Sequence, residues 1–413
     1  MRREKSLRRR FLGWMKAEAG NIAIISAMTM PLVVGFCGLG IETAYWFYKQ
    51  RVLQGSADIT AYNGAVALRN AETIASIKSQ APTDAGANGW IAPNGTITVN
   101  TPPTSGNNQN ANSVEVILTE NETRLFSKMF VSTPVKIQVR SVATYASSGQ
   151  ACLLALNKTA QNAVKVWGNN TTTLNGCNIM SNSFAPNAVG FGGSSVTTVP
   201  CVLAVGGVSV ASTLNLTKCS TPTTNAAPAK DPYANVPAPA VTGPCKTVPP
   251  GAAPIQPGRY CGGLSVNGTK TFTSGGVYVI DGGTFQLNVN AVVQGSGVTF
   301  YLTNGATVAF NGNAHLDFSA PTSGTYSGIL FFGDRNQANA LQKFNGDATS
   351  SMTGAIYMPS QAVQQNGNFS GANGCMQVIA DTIDYSGSAT FASNCPNTGM
   401  SGVSIPGAVS LVE

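Results

Sequence analysis

The carboxyl-terminal half of the sequence contains acidic residues, a histidine and an arginine. These side chains could act as acid and base catalysts on a polysaccharide. Such chemistry needs two carboxylates, or a carboxylate and a positioned base, that face one bond. Most of these residues stand beside Gly or Asn, where an Asp side chain commonly caps a turn. No G-x-S-x-G, P-loop or H-E-x-x-H motif occurs. We therefore predict no enzyme activity, no catalytic residue and no cofactor. The candidates weighed are Asp281, His315, Asp317, Asp334, Arg335, Asp381 and Asp384.

The nine cysteines are the second set of residues with possible chemistry, and eight of them follow an apolar stretch that contains Cys37. Paired in chain order, these eight lie 25, 18, 16 and 20 residues apart, although the pairing itself stays open. In an oxidising compartment, each such disulfide stabilises a fold by about 3 kcal/mol. A zinc site is the rival, but a single histidine and no C-x-x-C motif predict no metal site. The candidate disulfide residues are Cys152, Cys177, Cys201, Cys219, Cys245, Cys261, Cys375 and Cys395.

The charge of the chain is concentrated at its amino terminus. Charged residues make up only 10% of the 413 residues, and the formal net charge is +7. Residues 1–18 hold seven Lys or Arg against two Glu, so this tail carries most of the excess. The remainder is close to neutral, which leaves little from which to build a nucleic-acid-binding face.

A membrane span follows this basic tail. Residues 21–41 contain no charged side chain, and a helix of that length is about 30 Å long, which matches the hydrocarbon core of a bilayer. The basic cluster should stay in the cytoplasm, and Tyr45, Trp46 and Tyr48 form an interfacial belt beyond the span. We predict a transmembrane helix at residues 19–41, after a cytoplasmic tail at 1–18. A cleaved signal peptide is the alternative, although its apolar run should be shorter.

Four short strings flank the predicted span and continue beyond it: Ala19-Gly20-Asn21, Gly38-Leu39-Gly40-Ile41-Glu42, Leu53-Gln54-Gly55-Ser56-Ala57-Asp58 and Asn63-Gly64-Ala65. These strings resemble the TadE/TadG-like amino-terminal region of tight-adherence (Flp) pilus-assembly proteins. The resemblance implies a single-pass protein of the bacterial inner membrane, with its bulk in the periplasm and with other pilus-assembly or secretion components as partners.

The sequence departs from this family's pattern at two places. Ile25 stands where pilin-type processing after Gly20 would need Glu, so we expect no processing. Longer members of the family carry a metal-binding D-x-S-x-S motif. The nearest string here begins at Asp317 and ends in Pro321, so it lacks the final Ser and that metal site is not expected.

A stripe of small residues follows the span and could serve as an assembly face. Ala57, Ala61 and Ala65 are spaced at i, i+4 and i+8, and Gly64 widens the stripe so that another helix could approach closely. The alternative is that alanines are simply good helix formers. The candidate assembly residues are Glu42, Gln54, Ala57, Asp58, Ala61, Gly64 and Ala65.

The first exported region should combine a helix with a small antiparallel sheet. Helical periodicity continues from Glu42 to about residue 77 and should end before Pro82. Alternating segments then predict strands, with an amphipathic stretch at residues 125–130 before the last of them. We take residues 42–147 as one α+β unit with a pilin-like outline. The predicted strands cover 96–99, 113–118 and 135–144.

The rest of the chain predicts a β-solenoid. Gly276, Gly297, Gly328 and Gly354 each begin a strand, at spacings of 21, 31 and 26 residues. Such repeats are typical of coils that stack on a shared core, whereas a β-sandwich, the alternative, has hairpins of shorter spacing. We assign residues 148–220 and 258–413 to the solenoid. The Pro- and Ala-rich passage at 221–257 should be an extended crossing or linker, held by its cysteine.

These observations predict a non-enzymatic accessory component of a Flp (Tad) pilus or cell-surface system. The expected fold class is an amino-terminal transmembrane helix, a small α+β unit and a disulfide-bonded β-solenoid. The expected partners are the membrane, crossed once, other assembly components and cell-wall glycan, with no nucleic acid. A β-helix carbohydrate-active enzyme and a surface adhesin are the alternatives.

Overall fold

The computed structural model describes residues 18–338, 340–347, 349–366, 375–387, 389–392 and 397–413. The chain forms two compact units. The first contains its described residues up to Leu68, together with Glu72–Tyr145 and Val409–Glu413. The second contains Arg69–Ala71 and Ala146–Ala408.

The carboxyl-terminal five residues belong to the first unit and not to the solenoid, to which the sequence assigns them. They are held there by backbone pairing, because the N–H of Val142 donates to the carbonyl of Glu413 at 2.8 Å. The N–H of Val412 returns a bond to the carbonyl of Val142 at 2.9 Å. A repeat pattern along the sequence cannot reveal this pairing, which joins residues distant in the chain.

The first helix, α1 (Glu18–Arg69), changes character along its 52 residues. Up to Ile41 its large apolar side chains are exposed, and only 6% of its most apolar 18-residue window, of mean hydropathy 2.1, is buried by the protein. The Thr29 hydroxyl donates to the Ile25 carbonyl at 2.9 Å, which satisfies it within the helix. α1 is long and apolar enough to span a membrane, and no other helix in the described part of the chain meets that condition.

The second helix, α2 (Ile74–Ala87), corrects the helix boundary predicted from the sequence. The prediction that one helix continues and stops before Pro82 is wrong, since Pro82 lies inside α2. The break comes earlier, where Ala71 adopts a left-handed conformation with φ of 64°. Thr73 then caps the new helix, because its hydroxyl oxygen accepts the N–H of Ser76 at 3.1 Å. Local capping therefore decides the boundary, and the proline does not.

A three-stranded antiparallel sheet packs against these helices. Its strands are β1 (Gly95–Asn100), β2 (Ser113–Glu122) and β3 (Val135–Ala155), with β2 in the centre. Val114, Val116 and Leu118 of β2 are fully buried and pack with the small residues of α1, as the period of two in a strand requires. The expected combination of helix and antiparallel sheet is present. The main buried residues are Leu53, Ala57, Ala61, Ala65, Ile77, Val114, Val116 and Leu118.

The second unit is a parallel β-solenoid, as the sequence predicts. Its remaining strands are β4 (Val164–Val166), β5 (Thr171–Asn175), β6 (Asn178–Ser181), β7 (Val189–Phe191), β8 (Val196–Val199), β9 (Val202–Ala204), β10 (Val208–Val210), β11 (Thr213–Leu216), β12 (Gly258–Val266), β13 (Thr269–Phe272), β14 (Gly276–Leu287), β15 (Val292–Gly295), β16 (Val298–Thr303), β17 (Thr307–Phe310), β18 (His315–Ser319), β19 (Ile329–Gly333), β20 (Leu341–Phe344), β21 (Ser351–Gln365), β22 (Met376–Tyr385), β23 (Ala389–Ala392) and β24 (Val403–Leu411).

The solenoid strands stack in parallel ribbons, and the order of stacking is not the order of the sequence. One ribbon runs β12, β14, β16, β19, β21 and β22, and then continues through the end of β3 to β6 and β9. The earlier part of the chain therefore extends the stack beyond β22, where Val378 pairs with Leu153.

The Pro- and Ala-rich passage at 221–257 connects the two ends of this stack. Thr223 bridges Leu203 in β9, the last strand of the ribbon, whereas Ile255 bridges Phe272 in the first coil. Between these points Tyr233 is buried, with its ring 5.4 Å from that of Tyr357 in β21. The passage covers an apolar outer face of the ribbon that would otherwise meet water.

Glycines at the coil corners explain the repeat. Gly276, Gly297, Gly328 and Gly354 have φ values of 136°, 66°, 75° and 138°, a region that side chains with a Cβ rarely adopt. Gly276, Gly297 and Gly328 therefore turn the chain into β14, β16 and β19, whereas Gly354 bends the chain within β21. A Cβ at Gly354 would lie 2.7 Å from the Cβ of Ala320, so this corner also needs the space.

The interior of the solenoid is a stack of aromatic rings. Tyr278, Phe300 and Phe331 occupy matching positions on neighbouring coils, and their ring centroids are 5.4 and 5.1 Å apart in turn. All three are fully buried. Because each coil shares its rings with the next, no coil buries its core alone.

Three disulfides join cysteines that are neighbours in the sequence, a pairing that the sequence alone left open. The pair nearest the amino terminus links β3 to the start of β6, and these strands lie side by side in the ribbon. Cys375 is also disulfide-bonded, and Cys395 lies outside the described residues. Cys37 is free and exposed. The pairs are Cys152–Cys177, Cys201–Cys219 and Cys245–Cys261.

Candidate functional site

Four acidic candidates of the solenoid form hydrogen bonds or ion pairs with side chains next to them in the fold. Asp281 accepts from Asn304 and from the Nε of Arg259, the latter at 2.6 Å, and these bonds lower the pKa of its carboxyl. The remaining pairs are Asp334 with Thr303 at 2.7 Å, Asp381 with Asn157 at 3.0 Å and Asp384 with Lys165 at 3.3 Å.

Arg335 and His315 also have local partners. Arg335 donates to the hydroxyl of Tyr357 at 3.2 Å and to the carbonyl of Tyr233 at 2.8 Å. The Nδ1 of His315 lies 3.3 Å from Asp347, while Asp317 lines a shallow surface groove. Among the described contacts, no hydrogen bond joins two of the seven candidates. Within the described residues, no group of three or more His, Cys, Asp or Glu could hold a metal ion.

The predicted assembly stripe lies inside the first unit. Ala57, Ala61 and Ala65 are fully buried in its core, and a Cβ at Gly64 would lie 3.0 Å from a methyl group of Val114. The hydroxyl of Ser56, beside the stripe, donates to the carbonyl of Ala85 in α2 at 2.9 Å. The close approach expected from small residues is present, but the chain's own α2 and sheet occupy the face.

The polar residues predicted beside the stripe bind one another and the sheet. The Nε2 of Gln54 donates to Asp58 at 2.7 Å and to the carbonyl of Arg140 at 3.1 Å. Both side chains are half-buried. They hold α1 against β3, which is a role in the fold.

Glu42 has a distinctive environment, at the point where the exposed half of α1 ends. Its side chain is fully buried, and its two carboxylate oxygens accept separate backbone hydrogen bonds. The N–H of Leu125 donates to Oε1 at 2.6 Å, and the N–H of Ser127 donates to Oε2 at 2.9 Å. Charged acceptors make the stronger hydrogen bonds in proteins, so Glu42 fixes the segment between β2 and β3 to the helix.

A belt of charged and aromatic groups surrounds the next two turns of α1. The Nζ of Lys49 lies 2.9 Å from Glu122 and 3.6 Å from Glu120, both of which are buried. The guanidinium of Arg124 lies 5.4 Å from the ring centre of Trp46. Tyr45 donates to Glu122 at 3.3 Å, and the side chains of Tyr45 and Trp46 are half-buried against the sheet. These two residues of the predicted interfacial belt therefore pack within the first unit.

The segment held by Glu42 carries an exposed apolar cluster that sequence reasoning missed. We call it the apolar foot, and it consists of Leu125, Phe126, Met129, Phe130 and Val131. Met129 and Phe130 are 86% and 81% exposed. The sequence signal was present, because five apolar residues in a run of seven lie between two predicted strands, but an amphipathic turn explained it equally well.

Comparisons with known proteins give no further assignment, because no protein-family model matches the chain and no curated protein or solved structure is significantly similar to it. Two features of the structure bear on the function, namely the exposed apolar half of α1 and the disulfide-bonded solenoid.

Proposed function

We propose that this protein is a non-enzymatic accessory component of a Flp (tight-adherence) pilus or a related cell-surface assembly. It is anchored in the inner membrane by α1, with its amino terminus in the cytoplasm and its solenoid in the periplasm. The solenoid contacts other assembly proteins or cell-wall glycan. The pilus assignment is supported by the resemblance of residues 19–68 to the TadE/TadG-like region.

The observation that carries the proposal is the exposure of the first half of α1. Ile22, Val33 and Phe36 are 66%, 57% and 73% exposed, and the other large apolar side chains in this half of the helix are also exposed. Aqueous exposure of so many apolar side chains on one helix is unfavourable, whereas a bilayer favours their insertion by about 3 to 5 kcal/mol in total. The basic residues before the helix favour the cytoplasm for the amino terminus.

The solenoid supports the assigned compartment and the lack of catalysis. Its disulfides persist in an oxidising space such as the periplasm. Asp381 and Asp334 accept hydrogen bonds from Asn157 and Thr303 of the same unit, which supports a role in contacts between coils. A repetitive, nearly uncharged surface suits extended contacts with proteins or glycan.

The anchoring test compares two double substitutions in one helix. The full chain, with alkaline phosphatase fused after Glu413, is expressed in a bacterium with an inner and an outer membrane, and carbonate-washed membranes are assayed. We expect phosphatase activity in the washed membranes. I25R with V33R should remove it, because each Arg near the middle of a span costs about 3 kcal/mol. The matched pair, I59R with Y62R, alters exposed residues of the same helix beyond the span and should leave it unchanged.

The assembly role is tested separately in the native host. Crosslinked membranes are solubilised, the protein is captured and its partners are identified by mass spectrometry. Recovery of pilus or secretion components supports the proposal, and their absence contradicts it. Release of products from acidic polysaccharides by the purified exported region would instead indicate an enzyme. Protease cleavage of the solenoid in intact cells would indicate a surface adhesin.

A further inference from the structure

The apolar foot is exposed although its side chains are among the most apolar in the chain. It lies between β2 and β3, and its residues surround a short 3₁₀ helix, Ser127–Met129. Large aromatic and thioether side chains that cluster on a surface normally mark a site of contact with another apolar phase. Lys128 is the only charged residue within the segment.

The foot lies beside the part of α1 that is exposed and apolar. Phe126 covers Gly38, where a Cβ would lie 2.7 Å from the phenyl ring, so a side chain at that position would displace the foot. Together they form an open groove of about 570 Å³. The groove is lined by α1 residues that include Pro31, Leu32 and Phe36, and by Phe126, Met129 and Phe130 of the foot.

The position of this groove along α1 gives its expected depth in the membrane. From Glu42 back to Pro31, α1 rises about 16 Å at 1.5 Å per residue. One leaflet of hydrocarbon is about half of the 30 Å core. If α1 spans the membrane up to residue 41, the foot therefore lies alongside the leaflet on the exported side.

Several backbone N–H groups of the foot already have partners within the protein, as a medium without water requires. An unsatisfied N–H or C=O in hydrocarbon costs several kcal/mol, so irregular backbone there needs internal partners. The N–H groups of Leu125 and Ser127 are bound by Glu42. Those of Phe130 and Val131 both donate to the carbonyl of Ser127, at 3.0 and 2.9 Å.

Arg124, the residue before the foot, fixes this segment through hydrogen bonds. The Nε of Arg124 donates to the carbonyl of Thr133 at 2.8 Å, and its Nη1 donates to the hydroxyl of Ser127 at 3.1 Å. Arg124 also lies over Trp46, a residue type that favours the level of lipid headgroups. Lys128 has a long apolar stem that can carry its ammonium to the phosphates.

We propose that the apolar foot inserts into the exported-side leaflet next to α1, as a second membrane contact that Glu42 positions. This inference rests on the membrane anchoring proposed above. The occupant of the groove is therefore lipid acyl chain, continuous with the lipid around the span. A foot that met another protein instead of lipid would not be quenched by the lipids in the test below.

The test uses the full chain with C37S, in nanodiscs of phosphatidylethanolamine and phosphatidylglycerol that hold one copy each. A single additional cysteine, which carries the free thiol, is introduced by M129C in the foot, by V33C in the span or by K78C on the exposed surface of α2. It is labelled with an environment-sensitive fluorophore. Quenching by lipids that carry a nitroxide on the acyl chain is measured for each. We expect M129C to be quenched as strongly as V33C, and both several-fold more than K78C.

Each other outcome has a distinct meaning. Quenching of V33C, with M129C at the level of K78C, would overturn the inference and leave the membrane anchor intact. No quenching of V33C would overturn the anchor, and the inference with it. In the M129C protein, E42A should lower quenching toward the K78C level, while D58A should not. Unchanged quenching in E42A would exclude Glu42 as the positioning residue.

Discussion

The two units of this chain bury different kinds of polar group. In the described residues, the first unit buries four glutamates, which are Glu42, Glu115, Glu120 and Glu122, and all four have hydrogen-bond or ion-pair partners. The solenoid buries mainly Thr, Ser, Asn and Gln, and its strongest crosslinks are covalent. The stability of the first unit should therefore respond most to protonation. The stability of the solenoid should respond most to loss of its aromatic rings or disulfides.

The largest expected effect is the removal of one ring from the solenoid core. Phe300 is fully buried and contacts five other aromatic residues. F300A should lower the unfolding free energy of the solenoid by about 3 to 5 kcal/mol, through lost burial and a cavity. Hydrogen exchange measured by mass spectrometry reports each unit separately. F184A, at a residue 61% exposed in the same unit, should change it by less than about 0.5 kcal/mol.

Opening one disulfide should have the next largest effect. C152S with C177S removes a crosslink across 25 residues, which costs the solenoid about 3 kcal/mol on the chain-entropy account. Protection of the first unit should not change. C37S is the matched control, since that thiol is free. Equal loss of protection in both units would show that the solenoid and the first unit do not unfold separately.

Acid should act chiefly on the first unit, through Glu115. Burial alone would raise the pKa of its carboxyl, but hydrogen bonds from Asn100, Arg140 and Thr104 outweigh burial and lower the pKa to about 2. A lowered folded-state pKa gives stability that is present above about pH 4.5 and is lost as the pH falls toward 2.

The loss amounts to at most about 3 kcal/mol for a shift of this size. Unfolding of the first unit should be followed by hydrogen exchange between pH 6 and 2.5. E115Q should reduce the slope over that range, with the solenoid unaffected. A slope identical to that of the unsubstituted chain would contradict the role given to Glu115.

The smallest of these effects tests whether the alanine stripe is core or assembly face. A61L introduces a large side chain into a fully buried position of the first unit and should cost it about 1 to 3 kcal/mol. Y62L, at the next and exposed residue, should have little effect. If A61L keeps full stability but loses binding partners, the stripe is an assembly face after all.

The sequence predicts local features of this fold better than long-range ones. The apolar first half of α1 follows from hydropathy, and the coil corners follow from glycines such as Gly276 and Gly354, whose conformations few other residues adopt. The stacking of Leu153 on Val378 could not be predicted, because a repeat pattern specifies coils without specifying their order.

The candidate site was predicted only in part, for a similar reason. Glu42 was marked by its place at the end of the apolar run, but its hydrogen-bond donors lie more than 80 residues later in the chain. The alanine stripe predicted close packing, yet the spacing of Ala57 and Ala61 cannot say which surface approaches. That surface belongs to α2 and the sheet of the same chain.

The most direct test of the account is a count of free thiols in protein taken from carbonate-washed membranes of the native host. The chain is denatured with a thiol-reactive polyethylene glycol, with and without prior reduction, and the mass shifts are compared on a gel. We predict one reactive thiol before reduction, Cys37, and nine afterwards. Nine reactive thiols without reduction, or recovery of the chain from the soluble fraction, would contradict an exported solenoid held at the membrane.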